Sequence, residues 1–152
     1  MIIAHIFSIR RRVVKVAYIS SFVYCDNIQQ GTTADNKPMT HILNPLQVLS
    51  PVSLPGNFSF SIMCNISGFD AEQENVFNLQ FISPIGEVIQ NTGDIPIKLP
   101  VEVLAQQKKP NAMQMCMDFR NVVIREYGEH VTVIRMNDDV IGEFRIPVIE
   151  GD

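Results

Sequence analysis

From Asn57 to Ser67 the chain switches between apolar and polar at almost every residue. Phe58, Phe60, Ile62, Cys64 and Ile66 share one parity. Asn57, Ser59, Ser61, Asn65 and Ser67 share the other, and only Met63 breaks the polar row. A period of two puts the sets on opposite faces of a strand, one toward a core and one toward solvent, whereas a helix would scatter them around its axis. Phe77, Leu79 and Phe81 repeat the pattern against Asn78 and Gln80, as do Phe144, Ile146 and Val148 against Glu143 and Arg145. Val16 to Tyr24 is apolar on both faces and rich in β-branched and aromatic residues, which suits a central, well-covered strand. Met39 to Leu49 reads as a weaker strand, placed at an edge or bulged by Pro45. Met113, Met115, Met117 and Phe119 alternate with Gln114, Cys116, Asp118 and Arg120, after which Val122 and Ile124 take the other parity. A bulge or turn near Asn121 would absorb that slip.

Turn residues punctuate these segments. Asp26 to Pro38 is polar and carries Gly31, Asp35, Asn36 and Pro38, so it reads as a loop. Ser83-Pro84-Ile85-Gly86 has proline and glycine where a type I turn prefers them, and would fold Glu87 to Gln90 back as a hairpin. Gly68 to Gln73 and Asn91 to Asp94 also turn the chain, and Ile95 to Leu99 is a short strand. Asn137-Asp138-Asp139 is a hairpin signal between His130–Met136 and Val140–Val148. Pro100 to Lys109 is the one helical candidate, with proline at its first position, Glu102 in its first turn, Lys108 and Lys109 in its last, and Pro110 beyond. About eight or nine short strands at regular spacing predict an all-β chain folded as an antiparallel β-sandwich, with one short helix at 100–109. There is no βαβ alternation, internal repeat or interdomain linker, so 14–152 reads as one domain.

Met1 to Val13 stands apart from this pattern. Consecutive arginines just before a valine match a ribosome-binding sequence, AGGAGG, translated in frame ahead of a GTG start codon. The expectation is a natural start near Val14, with 1–13 a non-native or flexible extension. Val16 to Tyr24 is too interrupted by Tyr18, Ser20 and Ser21 for a signal peptide, and no small-residue cleavage site follows.

Composition narrows the function. The 152 residues are 46% hydrophobic and 18% charged, which supports a packed core without metal or disulfide staples. A net charge of −4 disfavours general nucleic-acid binding, since phosphate-binding surfaces are basic. The only basic cluster is Arg10, Arg11, Arg12 and Lys15. Cys25, Cys64 and Cys116 are far apart and odd in number, with no CxxC pair, so zinc and thioredoxin-type redox chemistry are not indicated. Reduced thiols in a cytosolic protein, packed as small apolar residues, are the simplest reading. No apolar run reaches the ~20 residues of a membrane-spanning helix. Asn57-Phe58-Ser59 and Asn65-Ile66-Ser67 match the glycosylation tripeptide but fall on a predicted strand.

Three pieces together resemble a bacterial family of small uncharacterised proteins carrying a domain of unknown function. They are an opening strand running into Phe-Val-Tyr-Cys-Asp (Phe22 to Asp26), a polar-alternating strand followed by a Ser-Pro-x-Gly hairpin (Asn57 to Gly86), and a closing hairpin from Tyr127 to Glu143 with an acidic turn and Ile-Gly-Glu. The resemblance runs from about residue 14 onward. It implies a β-sandwich-like fold and supplies no functional residues.

The remaining chemistry is sparse. His5, His41 and His130 are isolated, and no nucleophile elbow is present. A catalytic pairing would need His41 to meet Cys25 or Cys116 in space. Carboxylates gather in loops, with Asp70, Glu72 and Glu74 in one, Asp138 and Asp139 in a second, and Asp26 and Asp35 in a third. Such loops hold Ca²⁺ when six to eight oxygens converge, but acids also populate turns for local hydrogen bonding. The Met113–Met115–Met117 row is either core packing or an adaptable binding surface. No catalytic, cofactor-binding or metal residue is therefore assigned, and no cofactor. The expectation is a non-enzymatic protein-interaction or accessory module of a bacterial cytoplasm, binding a protein partner or a second copy, with no nucleic acid and no membrane. A small-ligand or Ca²⁺-binding sandwich using its end loops is the alternative, and an unrecognised hydrolase the third reading.

Overall fold

The structure is a computed structural model that describes residues 16–99 and 112–151. The expected extension at 1–13 and the expected helix at 100–109 lie outside the described residues. Nine strands form two antiparallel sheets, and no helix occurs among the described residues. In chain order they are β1 (Tyr18–Thr32), β2 (Pro38–Pro45), β3 (Gly56–Ser67), β4 (Asn75–Ile82), β5 (Val88–Asn91), β6 (Ile95–Ile97), β7 (Ala112–Ile124), β8 (Gly128–Met136) and β9 (Asp139–Val148). One sheet runs β2-β1-β3-β7. The other runs β5-β4-β8-β9, with β6 also paired to β4. The expected all-β sandwich is thus the architecture found.

The core lies between the sheets and is aromatic at its centre. Phe60 of β3 packs against Phe81 of β4 (ring centroids 5.3 Å), Phe119 of β7 (5.4 Å) and Tyr24 of β1 (6.2 Å). Phe60, Ile62, Cys64 and Ile66 have no exposed surface, as their shared parity predicts. Tyr24 joins the two sheets through the core. Its hydroxyl lies 2.7 Å from Thr132 Oγ1 on β8 and donates to the Phe144 carbonyl of β9 at 3.1 Å. Beside it Phe22 stacks on Phe144 with ring centroids 3.9 Å apart.

The turn chemistry read from the chain is realised locally. Gly86 N donates to Ser83 O in the β4–β5 hairpin, and Ser83 Oγ accepts from Glu87 N. Asn137 and Asp138 both have positive φ, 53° and 68°, which matches the strand twist across a two-residue hairpin. Asn137 also ties that hairpin to β4, since its Oδ1 accepts from Val76 N at 2.7 Å. The slip near Asn121 is a bulge. Phe58 faces Val122 but Phe60 faces Phe119, so Arg120 and Asn121 together oppose Ser59, and Asn121 N donates to Ser59 Oγ. With φ at 53°, Asn121 swaps parity so that both Phe119 and Val122 point inward.

Three expectations need correction. The segment from Asp26 was expected to loop, yet β1 continues to Thr32 and pairs with β2 from Cys25↔Pro45 to Thr32↔Pro38. Only 33–37 turn the chain. Its polar residues suit a two-stranded arm that has little core to face, so hydrogen bonding to β2 rather than burial makes it a strand. β1 has one partner at a time along its length: β3 pairs with its first half and β2 with its second, so Tyr18–Tyr24, expected to be central and well covered, has a single ladder, and Val16 and Tyr18 are exposed.

The polar face of β3, expected to meet solvent, is largely covered. Ser61 is wholly buried there, and Met63 and Ser67 are nearly so. The cause is the arm. Thr40 of β2 donates to Gln114 Oε1 of β7 at 2.7 Å, and Gln30 Nε2 lies 3.6 Å from Cys116 Sγ. In a flat sheet β2 and β7 would be three strand spacings apart, about 14 Å. Direct contact requires the β1–β2 arm to curl back over the outer face of β3.

Candidate functional site

Under that arm lies a polar bed built by three neighbouring strands. Cys25, Ser61 and Asp118 form one cross-strand row, and Val23, Met63 and Cys116 the next. Ser61 Oγ donates to the Asp118 carboxylate, and the Cys25 thiol reaches the Ser61 carbonyl at 3.7 Å. Burial raises the Cys25 and Cys116 thiols above their ordinary range, although the Gln30 amide at Cys116 opposes the effect. Burial pushes Cys64, on the core face, up to about 12. All three cysteines are free. Cys25 and Cys64 are buried as small apolar groups, whereas Cys116 is exposed.

His41 does not join this bed. It pairs with Gln29, and its ring lies over Gly31, where an added Cβ would sit 3.9 Å from Nε2. Thr40 and Gln30, on the alternate parity of the arm, are the residues that reach β7. The arm thus separates His41 from Cys116, and no His41–cysteine contact forms.

His130 is instead a core residue of β8, stacked on Phe81 with centroids 5.4 Å apart. Its Nδ1 lies 3.1 Å from the Gly128 carbonyl, while Nε2 is buried without a hydrogen-bond partner, as is Oε2 of Glu126. Burial holds the imidazole below its ordinary range, against the Gly128 hydrogen bond and the charge of Glu126.

The acidic loops are only partly brought together. Asp70 and Asp139 share a cleft of about 120 Å³ with Gln73, Asn75 and Asn137. The Asp70 carboxylate there accepts from Glu72 N, a local turn bond. Glu74 turns away to Lys98 at 2.9 Å, which holds its carboxyl below the usual range. Asp26 takes a hydrogen bond from Asn44, and Asp35 lies in the 33–37 turn. Among the described residues no three histidine, cysteine or carboxylate side chains are placed to hold one metal ion.

What sequence reasoning missed is a strand edge. β7 ends the four-stranded sheet, and among the described residues its only ladder is with β3. Its inward methionines, Met113, Met115 and Met117, face the core opposite Ile66, Cys64 and Ile62 but stay half-buried. They are therefore core packing with an open side. Across the sandwich, thirteen-residue β7 is met by four-residue β5. The other terminal strands of the two sheets are each protected. β2 begins and ends on proline. β5 is short, and three-residue β6 contains Pro96. β9 gives its Phe144 carbonyl to Tyr24 and meets Leu49, whose N donates to Pro147 O at 2.9 Å and whose carbonyl accepts from Ile149 N at 3.0 Å. Long bare edges are normally blunted by such devices. From Ala112 to Arg120, β7 is regular and contains no proline or bulge, and no described segment pairs with its outer edge.

No helix among the described residues is long and apolar enough to cross a membrane. Residues 20–149 match a family of unknown function, DUF6941, and the chain belongs to that family. No curated protein matches the chain. Among solved structures it is similar to the alkylpurine DNA glycosylase AlkC of Pseudomonas fluorescens, at 10% identity and a TM-score of 0.45, over 87% of this chain and 30% of that one. The chain thus spans under a third of the glycosylase's length. It is also similar to an immunoglobulin-like protein of Pseudomonas aeruginosa, at 15% identity and a TM-score of 0.43, over 90% of this chain and 99% of that one. A β-glucosidase of Listeria innocua is similar at 11% identity and a TM-score of 0.37, over 89% of this chain and 16% of that one.

Proposed function

We propose that this DUF6941 member is a non-enzymatic interaction module that accepts an extended protein segment along the edge of β7. The observation that carries the reading is the run from Ala112 to Arg120, whose outer edge has no ladder among the described residues, beside three half-buried methionines. A strand edge offers a row of backbone N–H and C=O groups, and an added strand satisfies them while its alternate side chains meet the two faces. The run is about 30 Å long at the usual strand rise. On the inner side, Met113, Met115 and Met117 offer flexible thioether surface that adapts to the side chains placed against it. On the outer side, Gln114, Cys116, Asp118 and Arg120 offer polar contacts of both signs. The segment that fits alternates apolar and polar residues. A reducing bacterial cytoplasm suits this reading, because the three cysteines are unpaired.

Selection of extended peptides from a display library, followed by amide hydrogen exchange with and without the selected peptide, tests the reading. Protection of β7 amides on binding is expected. Peptides that bind and protect another part of the molecule while β7 stays unchanged would overturn it. Met115→Lys, an inward charge of the kind natural edges use against pairing, is expected to abolish binding with an unchanged far-UV spectrum.

A further inference from the structure

We infer that the strand taken up by the β7 edge is β7 of a second copy, paired antiparallel about a two-fold axis through Cys116. The inference rests on the edge-binding reading and names its partner. At Ala112 the strand reaches Ser67, the last residue of β3, and the bulge at Arg120–Asn121 ends its even pleat, leaving nine consecutive described residues to pair. In a symmetric antiparallel pair each residue faces its mirror about the axis. All nine are used only when the axis passes through the midpoint of the run, which is Cys116.

That register also satisfies the side chains. Residues directly opposite in an antiparallel pair lie on the same face. On the inner face Met115 meets Met117 of the second copy and Met113 meets Phe119 of the second copy, so the open side of each methionine row is closed by the other. On the outer face Gln114 meets Asp118 and Ala112 meets Arg120 of the second copy, with no like charges opposed. A slip of one residue would set the methionines opposite the polar row. Moving the axis to Met117 drives the pairing into the Asn121 bulge, and moving it to Asp118 opposes two carboxylates, which is unfavourable. The two outward charges of the run, Asp118 and Arg120, cancel locally, so the net charge of −4 per chain is not concentrated at the contact. The result is one continuous eight-stranded sheet shared by two sandwiches.

Two Cys116 side chains then face each other with Cα atoms about 4.5–5.5 Å apart, inside the range a disulfide spans. This supplies the test. Under reducing conditions, sedimentation of the full chain is expected to give twice the 17.1 kDa monomer. Mild oxidation with diamide, which takes up the two thiol hydrogens, is expected to lock that species as a covalent dimer. Cys116→Ser should lose the covalent link and keep the reduced dimer, while Met115→Lys should be monomeric. Should Met115→Lys fail to fold, hydrogen exchange of the unaltered protein replaces it, and protection of residues 112–120 should fall on dilution. A monomer at high micromolar concentration overturns the inference, as does a dimer that diamide does not link through Cys116. A monomer whose β7 still gains protection from strand-like peptides rejects the second copy alone and leaves the edge-binding reading standing.

Discussion

Replacing Tyr24 with Phe removes a single oxygen from the core, and its consequences follow from hydrogen-bond direction. The Phe144 carbonyl can only accept, so the Tyr24 hydroxyl hydrogen is committed to it at 3.1 Å. The Thr132 hydroxyl, 2.7 Å away, must therefore donate to the Tyr24 oxygen. Burial holds the phenol well above its ordinary range, so it stays neutral and keeps this arrangement. Tyr24→Phe breaks both bonds, at about 1 kcal/mol each, and leaves a Thr132 hydroxyl with no exposed surface and no partner, a further ~1 kcal/mol or more. The expected loss is about 2–3 kcal/mol. Adding Thr132→Val removes the stranded hydroxyl at nearly constant shape, so the double variant should be more stable than Tyr24→Phe alone by about 1 kcal/mol. Urea unfolding monitored by far-UV circular dichroism measures all three, since the chain has no tryptophan to report by fluorescence. The reasoning is refuted if Tyr24→Phe is neutral, or if the second substitution deepens the loss instead of relieving it.

Two further outcomes follow from other sites. His130 is buried with Nε2 unpartnered and its imidazole held below the ordinary range. Well above about pH 6.5 it is neutral both folded and unfolded and has no effect. As the pH falls below that value the unfolded chain binds a proton the folded chain resists, so stability declines until the folded imidazole also titrates. Urea midpoints between about pH 5 and pH 8 should therefore fall toward acid less steeply in His130→Phe than in the parent, and equal slopes would contradict this. At Gly142 an added Cβ would lie 2.7 Å from Phe144 Cε2 and 2.9 Å from Ile19 Cγ1, and Phe144 is already stacked on Phe22. Gly142→Ala is expected to cost about 1–3 kcal/mol and lower the thermal midpoint, whereas an unchanged midpoint would show that Phe144 moves aside freely.

The amino-acid sequence alone determined which faces of most strands are apolar and where the chain turns. The alternation along Asn57–Ser67, the parity slip at Asn121 and the hairpins at Ser83–Gly86 and Asn137–Asp138 are readable because each depends on the backbone preference or pleat of a few adjacent residues. Tertiary structure decided what lies next to each strand and what covers each face. Ser61 looks solvent-facing in the chain but is buried, because an arm that reaches β7 through Gln30 and Thr40, both distant in sequence, curls over it. Phe-Val-Tyr-Cys-Asp marks the start of the fold in sequence, yet only packing shows Tyr24 holding the two sheets together. The acids of two loops meet in one cleft through Asp70 and Asp139, while His41 and Cys116 are set apart by a strand's parity. The methionine row was visible as a row, but only the packed structure shows it half-buried against the core. The bare edge of β7 is the extreme case. An edge is defined by the neighbour a strand lacks, and local alternation is the same for a strand with one neighbour as for a strand with two.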